Sequence, residues 1–266
     1  RVQCSDDIMF DPGGEDMTID AGLIKARLGD YVWLDRNRDG TQDEPETAGM
    51  NGVKVVLYKE KNDGSGTFES VDETTTSDLN GKPGYYSFEE LDPGRYQVCF
   101  ERPDGYAFTA AGVPGTNGAA GDSDAGLGTL PDGADTQVNC SDVIELEAGE
   151  ENLTIDAGLL LGKIGDYVWY DRNRDGIRDE EEIGVNDVTV ILYEIDGAGH
   201  DQEKARAVTK NKERDPEQPG YYLFDDLTAG TYKVCFEQPQ AYGFTAPGQG
   251  SGTNAQAADS DAGLGT

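Results

Sequence analysis

An internal repeat constrains this chain more than any other feature. Gly29-Asp30-Tyr31-Val32-Trp33 returns 136 residues later as Gly165-Asp166-Tyr167-Val168-Trp169. Tyr85-Tyr86 returns as Tyr221-Tyr222. Tyr96, Cys99 and Phe100 return as Tyr232, Cys235 and Phe236, and Tyr106 and Phe108 as Tyr242 and Phe244. Asp122-Ser123-Asp124 returns as Asp259-Ser260-Asp261 after a drift of one residue. A sequence that repeats at such a period builds one structural unit twice. The phase is unusual, because residues 1–23 match 137–159, the tail of a unit. Cys4 corresponds to Cys140, and Thr18–Leu23 to Thr154–Leu159. Residues 24–160 are therefore expected to form one complete unit. Residues 161–266 form a second unit without its tail strands, and residues 1–23 are tail strands of a preceding or neighbouring unit.

Each unit reads as β-structure. Residues 28–34 alternate between apolar and polar, as a half-buried strand does. Val53–Tyr58 and its copy Val188–Tyr193 read as a second strand. Tyr86 and Phe88 alternate, Pro93-Gly94 turns the chain, and Tyr96, Val98 and Phe100 alternate again. Val138–Leu146 and Leu153–Leu159 read as two closing strands. Segments 61–80 and 197–218 are polar, differ most between copies, and read as loops. About seven short strands per unit, with no amphipathic helix, point to a two-sheet sandwich.

Within each unit one twelve-residue stretch carries chemistry. Asp35–Glu46 reads DRNRDGTQDEPE and Asp171–Glu182 reads DRNRDGIRDEEE. Oxygen-bearing side chains stand at positions 1, 3, 5, 9 and 12, with Gly at 6, the spacing of an EF-hand-type calcium loop. Calcium takes six to eight hard oxygen ligands, which a loop winding round the ion supplies from alternate residues. The expected ligands are Asp35, Asn37, Asp39, the Thr41 carbonyl, Asp43 and Glu46. In the second copy they are Asp171, Asn173, Asp175, the Ile177 carbonyl, Asp179 and Glu182. The bland alternative is an acidic surface loop without an ion.

Net charge is compatible with two readings that can hold together, a solubilising or salt-adapted surface and a set of metal-ligand carboxylates. The formal charge is −32, from 53 acidic and 21 basic residues. Phosphate backbones need Lys and Arg, so nucleic acid is not an expected partner. No apolar run approaches the ~18 residues that a membrane helix requires. Carboxylates this dense repel one another unless cations offset them.

The motifs GDYVWxDxNxDGxxDxxE, GxYxFxxLxxGxYxVxF, GDSDAG and LTIDAGL, in that order, resemble the B repeats of serine-aspartate-repeat surface proteins. Those are relatives of the B-type domains of collagen adhesins, and the resemblance covers both units nearly end to end. It implies tandem Greek-key, Ig-like β-sandwiches, all-β throughout, with a calcium requirement. It also implies an extracellular spacer or stalk at the cell surface. In such repeats the aspartate-rich motif at Asp122 and Asp124, copied as Asp259 and Asp261, is associated with calcium as well. The alternative for these four is a plain Asp/Gly turn. B-type adhesin domains often carry a Lys–Asn isopeptide bond. Here Lys163 aligns with Arg27 and Lys25 with Leu161, so no recurring lysine supports one.

Asp30 and Asp166 open the units, and Asp20 and Asp156 close the ones before. That spacing suggests an ion or direct packing at a stiff junction, or simply solvent-facing carboxylates. The four cysteines lack any C-x-x-C, which argues against zinc. Cys99–Cys140 is the expected bond within the complete unit. Cys235 then has Cys4 as partner, in a different molecule, if residues 1–23 complete a neighbouring sandwich by strand donation. Two alternatives stand: both cysteines are free, or the pairs are Cys4–Cys99 and Cys140–Cys235. Trp33 and Trp169 read as core or interdomain residues. His200, the single histidine, has no copy in the first unit, so no Ser–His–Asp or Cys–His set recurs. Paired carboxylates abound but fall in metal spacing on loops, and an enzyme is not expected. Neighbouring copies of the chain or adjacent repeats are the expected partners, with any host or glycan ligand unknown. The competing reading is a carbohydrate- or protein-binding module using aromatics near 106–120 and 242–258.

Overall fold

The computed structural model describes residues 3–9, 14–15, 17–112, 121–126, 128, 130–131, 137–213, 217–246 and 260–262. Asp259, and the parts of the two aromatic loops at 113–120 and 247–258, lie outside them. The chain condenses into two compact units. The first comprises Arg1–Asp35, Asp39–Glu101 and Thr109–Gly158. The second comprises Arg36–Arg38, Arg102–Phe108 and Leu159–Thr266.

The strands are β1 (Ala26–Leu34), β2 (Lys54–Glu60), β3 (Phe68–Thr75), β4 (Ser77–Leu79), β5 (Lys82–Leu91), β6 (Gly94–Glu101), β7 (Ala107–Phe108), β8 (Val138–Cys140), β9 (Ile144–Leu146), β10 (Glu151–Leu153) and β11 (Ala157–Leu160). One sheet runs β4-β5-β1-β11, with β10 parallel to β1 and β7 on the far end of β11. The other runs β3-β2-β6-β8, with β9 beside β6. Alternating side chains from both sheets meet between them. Leu28, Val32 and Trp33 of β1, Val55 and Leu57 of β2, and Val98 and Phe100 of β6 are all buried. Tyr86 of β5 meets Phe100 edge-on at 5.6 Å, which ties sheet to sheet. Each such side chain removed from water contributes ~1.5–3 kcal/mol.

The tail strands complete this first sandwich. β8 extends one sheet, β10 and β11 the other, and Ile155 and Leu159 are fully buried. Cys99 and Cys140 stand opposite each other in the β6/β8 register and form a disulfide.

The second unit repeats the plan with β12 (Gly162–Tyr167), β13 (Thr189–Ile195), β14 (Asp201–Val208), β15 (Tyr221–Leu227) and β16 (Tyr232–Phe236). β12 pairs β15, and β14-β13-β16 forms the facing sheet. Val190, Leu192, Tyr222, Phe224 and Leu227 make its core. Tyr222 meets Phe236 at 5.7 Å, as Tyr86 meets Phe100. Among the described residues, no strand follows β16 to cover its outer edge.

Two expectations need correction. Segments 61–80 and 197–218 are not loops throughout: β3, β4 and β14 lie within them. β3 is exposed or half-exposed along its whole length, so it lacks apolar alternation. The β2/β3 ladder holds it, from Lys54↔Thr75 to Glu60↔Phe68. The unit tail is also four short strands rather than two, because the chain leaves the ladders at 141–143, turns at Ala148-Gly149 and leaves them again at 154–156. Residues 3–9, 14–15 and 17–25 form no strand, and all are exposed.

Candidate metal loops and a buried carboxylate cluster

The acidic loops begin where β1 and its copy end. Position 6 needs a left-handed backbone, and Gly40 (φ +79°) and Gly176 (φ +76°) provide it. A Cβ at Gly40 would also lie 2.7 Å from the Ala110 carbonyl oxygen, so two constraints select glycine there. The residue at position 4 is left-handed as well, Arg38 in one loop and Arg174 in the other.

The second loop is the more completely gathered. Asp171 Oδ1 accepts the Arg174 amide at 2.6 Å, and its Oδ2 accepts the Gly176 amide at 3.0 Å. Asn173 Nδ2 donates to Asp175 at 2.9 Å and to Asp179 at 3.0 Å. Glu182 folds inward, its carboxylate accepting the amides of Arg172 at 2.7 Å and Asp179 at 3.2 Å. Five of the six expected positions thus share one hydrogen-bonded turn. The sixth, Ile177, anchors it by donating its amide to Asp175. Burial works to raise the Asp171 carboxyl, but the Thr245 hydroxyl and the loop amides outweigh it and hold that carboxyl below its ordinary value.

The first loop differs at its end. Asp35 is buried and its Oδ2 accepts the Gly40 amide at 3.0 Å and the Thr109 hydroxyl. Asp39 accepts the Thr41 amide at 2.8 Å. Glu46 instead begins a short 3₁₀ turn (Glu46–Ala48), is exposed, and pairs with Lys82. Asn37 and Asp43 are exposed on this loop. Among the described residues, no three acidic, histidine or cysteine side chains have converged to metal-binding distance. The donor set is nonetheless all hard oxygen, which suits calcium and not a thiophilic metal.

The structure stitches the two aspartate motifs together. Thr41 bridges Asp122, the Gln42 amide donates to Gly121 O at 2.6 Å, and the Ser123 amide donates to Gly40 O at 3.1 Å. In the second unit the Ser260 amide donates to Gly176 O at 2.7 Å. Asp124 is fully buried. Its Oδ2 accepts the Asp156 amide at 2.9 Å, while its Oδ1 has no hydrogen-bond partner.

Sequence reasoning placed Asp30 and Asp156 at opposite ends of one unit, each beside a junction. The structure places them together inside the first unit. Asp156 is fully buried and accepts the amides of Tyr31 and Gly121, both at 3.2 Å. It also hydrogen-bonds the Asp30 side chain. Burial, then the Asp30 charge, pushes the Asp156 carboxyl up to about 8. Burial pushes Asp124 up to about 7 and Asp30 up to about 6. In the second unit Asp166 is also raised, by burial first, with Asp261 adding to it and Arg178 opposing. The signal for this cluster was present in the sequence: Asp30, Asp124 and Asp156 all belong to repeated motifs.

Comparison with known proteins fits this architecture. Residues 26–159 and 162–266 each match the SdrD B-like domain. Serine-aspartate repeat-containing protein E of Staphylococcus aureus (strain USA300) is 39% identical over 234 residues, 85% of this chain and 17% of that protein. Bone sialoprotein-binding protein of Staphylococcus aureus is 38% identical over 257 residues, 94% of this chain and 18% of that protein. The chain therefore spans less than a fifth of these relatives' length. The shaft pilin SpaA from Lactobacillus rhamnosus GG aligns over 85% of this chain and 91% of its own, at 12% identity and a TM-score of 0.28, a likeness too loose to carry an argument. With two consecutive matches and relatives this similar, the chain belongs to the SdrD B-like family, as tandem all-β repeats of an extracellular surface protein.

Proposed function

We propose that this chain is a calcium-stabilised segment of a rigid stalk or surface filament, a spacer rather than an enzyme. Residues 24–160 and 161–266 are its repeats, and residues 1–23 supply closing strands to a neighbouring unit. The observation that carries this reading is the Asp171–Glu182 turn, where five oxygen-bearing side chains surround one left-handed glycine. Calcium bound there, or at Asp35–Glu46, would neutralise crowded carboxylates and tie each loop to its sandwich. Asp122 and Asp124 are proposed as further ligands, with Asp259 and Asp261 as their copies. The buried, unpartnered Asp124 Oδ1 supports this assignment. A cation bound to the folded chain alone adds RT ln(1 + [L]/Kd), ~2.7 kcal/mol at a hundredfold excess over Kd.

Thermal melting in calcium and in chelator tests this. Calcium raises the melting temperature, and Asp35→Ala with Asp171→Ala abolishes the increase. A melting curve indifferent to both calcium and chelator refutes the calcium reading. The second reading, a carbohydrate- or protein-binding module, draws on the exposed aromatics Tyr170, Tyr242 and Phe244. Glycan and protein-ligand screens separate the two, since a spacer binds neither.

A further inference from the structure

Five residues from four segments of the first unit close a ring of hydrogen bonds. The Gly40 amide donates to Asp35 Oδ2 at 3.0 Å, and the Thr109 hydroxyl donates to the same oxygen. The Thr109 amide donates to Gly158 O at 2.9 Å. The Gly158 amide donates to Ser123 Oγ at 3.2 Å. The Ser123 amide donates to Gly40 O at 3.1 Å, which returns to the start. All five residues are buried. Loss of one member therefore leaves a donor or acceptor unmatched away from water.

The members have different origins. Asp35 opens the acidic loop, Thr109 follows β7, Ser123 stands between Asp122 and Asp124, and Gly158 lies on the closing strand β11. The ring thus ties the candidate metal loop to a strand more than a hundred residues away. Two donors on one oxygen hold the Asp35 carboxylate in a single orientation, as the outer partners of a metal ligand do. A Cβ at Gly158 would lie 2.4 Å from Thr109 Cγ2 and 2.9 Å from the Trp33 ring, so glycine is what lets β11 come this close. The second unit repeats the loop side of the ring. The Gly176 amide donates to Asp171 Oδ2 at 3.0 Å, the Thr245 hydroxyl bonds Asp171, and the Ser260 amide donates to Gly176 O at 2.7 Å. Thr245 and Ser260 are the copies of Thr109 and Ser123.

We infer that Thr109 and Ser123 are positioning residues that couple cation binding at the Asp35 loop to the seating of β11. This rests on the calcium reading above and adds the route by which the ion reaches the rest of the sandwich. An ion that fixes Asp35 also fixes Thr109, whose amide holds Gly158. An ion that orders the loop also fixes Gly40, whose carbonyl holds Ser123 and, through it, the other side of Gly158. Coupling between two events is reciprocal, so a firmly seated β11 tightens the ion in turn. Ser123 makes the inference distinctive. Among the described residues its Oγ hydrogen-bonds Gly158 alone. Ser123→Ala therefore removes no proposed ligand, yet it weakens the ion.

Amide exchange of the full chain, followed residue by residue by NMR as calcium is added, tests the coupling. In the parent chain calcium is expected to slow exchange at Gly40 and, with the same midpoint, at Gly158. The Gly40 midpoint reports the first loop, and the Gly176 midpoint serves as an internal control. Ser123→Ala and Thr109→Val each move the Gly40 midpoint about tenfold toward higher calcium and leave Gly176 in place. Thr109→Ser keeps the hydroxyl and restores the parent midpoint. Both replacements cut one ring, so the double variant shifts by less than the product of the single shifts. A purely structural role for the two side chains speeds Gly158 exchange equally with and without calcium and leaves the Gly40 midpoint unmoved; that result overturns the inference. The parent chain alone gives a second check that needs no variant to fold. Protection at Gly40 without protection at Gly158 removes the coupling and leaves the calcium reading standing, whereas protection at neither glycine removes both.

Discussion

The Tyr31 amide donates to Asp156 Oδ1 at 3.2 Å, across 125 residues of sequence. That bond fixes a fully buried carboxyl against Asp30, with Asp124 bonded to its backbone. All three carboxyls titrate above the ordinary 3.8, chiefly because burial disfavours their charged form. The folded chain therefore holds protons that the unfolded chain releases. Stability from this cluster is fully present below about pH 4 and is lost as pH rises to about 8. In chelator, the melting temperature is expected to fall across that window, by an amount worth on the order of a few kcal/mol. Asp124→Asn keeps an acceptor for the Asp156 amide, carries no charge, and flattens the profile. Melting scans from pH 4 to 8 check it; a parent protein that gains stability over that range contradicts the assignment.

The two loops end differently, and their last glutamates have different consequences. Glu182 is buried and accepts two loop amides, whereas Glu46 is exposed and paired with Lys82. Glu182→Ala leaves those amides unmatched and destabilises its unit by ~1–3 kcal/mol even in chelator. Glu46→Ala loses an exposed ion pair worth ~0–1 kcal/mol. Calorimetry of the two variants in chelator measures the difference, and equal effects contradict the asymmetry.

Much of this was legible in the sequence, and the failures have physical causes. The alternation of Tyr86, Phe88, Tyr96, Val98 and Phe100 marks strands because those residues line a core. β3 and β14 carry no comparable signal, since an edge strand is held by its backbone ladder and can face water on both sides. Gly40 and Gly176 were legible because one backbone conformation demands them. The outward turn of Glu46 was not, as it depends on Lys82, 36 residues away. Asp156 was read as a junction residue from its closeness to Asp166 in sequence. Its partners are instead Asp30 and Asp124 of its own sandwich, a long-range pairing that linear spacing does not reveal.

The Cys99–Cys140 bond closes a loop of 41 residues, which by chain entropy stabilises the first unit by about 4 kcal/mol. Reduction is expected to lower the melting transition of that unit and leave the second in place. Cys140→Ser reproduces the change without reductant. Calorimetry with and without reductant reads this, and a single transition shifting as a whole contradicts it.

Phe100 and Phe236 occupy the same place in the two units, against Tyr86 and Tyr222, yet their environments differ. Phe100 is 0% exposed with β8 paired beside it, while Phe236 is only half-buried on a strand, β16, whose outer edge no strand covers among the described residues. Phe100→Ala leaves a cavity in a closed core and is expected to cost about 3–5 kcal/mol. Phe236→Ala opens a site that water already reaches, and the cost falls closer to about 2 kcal/mol. Denaturant melts of both variants measure the two costs, and equal losses contradict the difference in burial between Phe100 and Phe236.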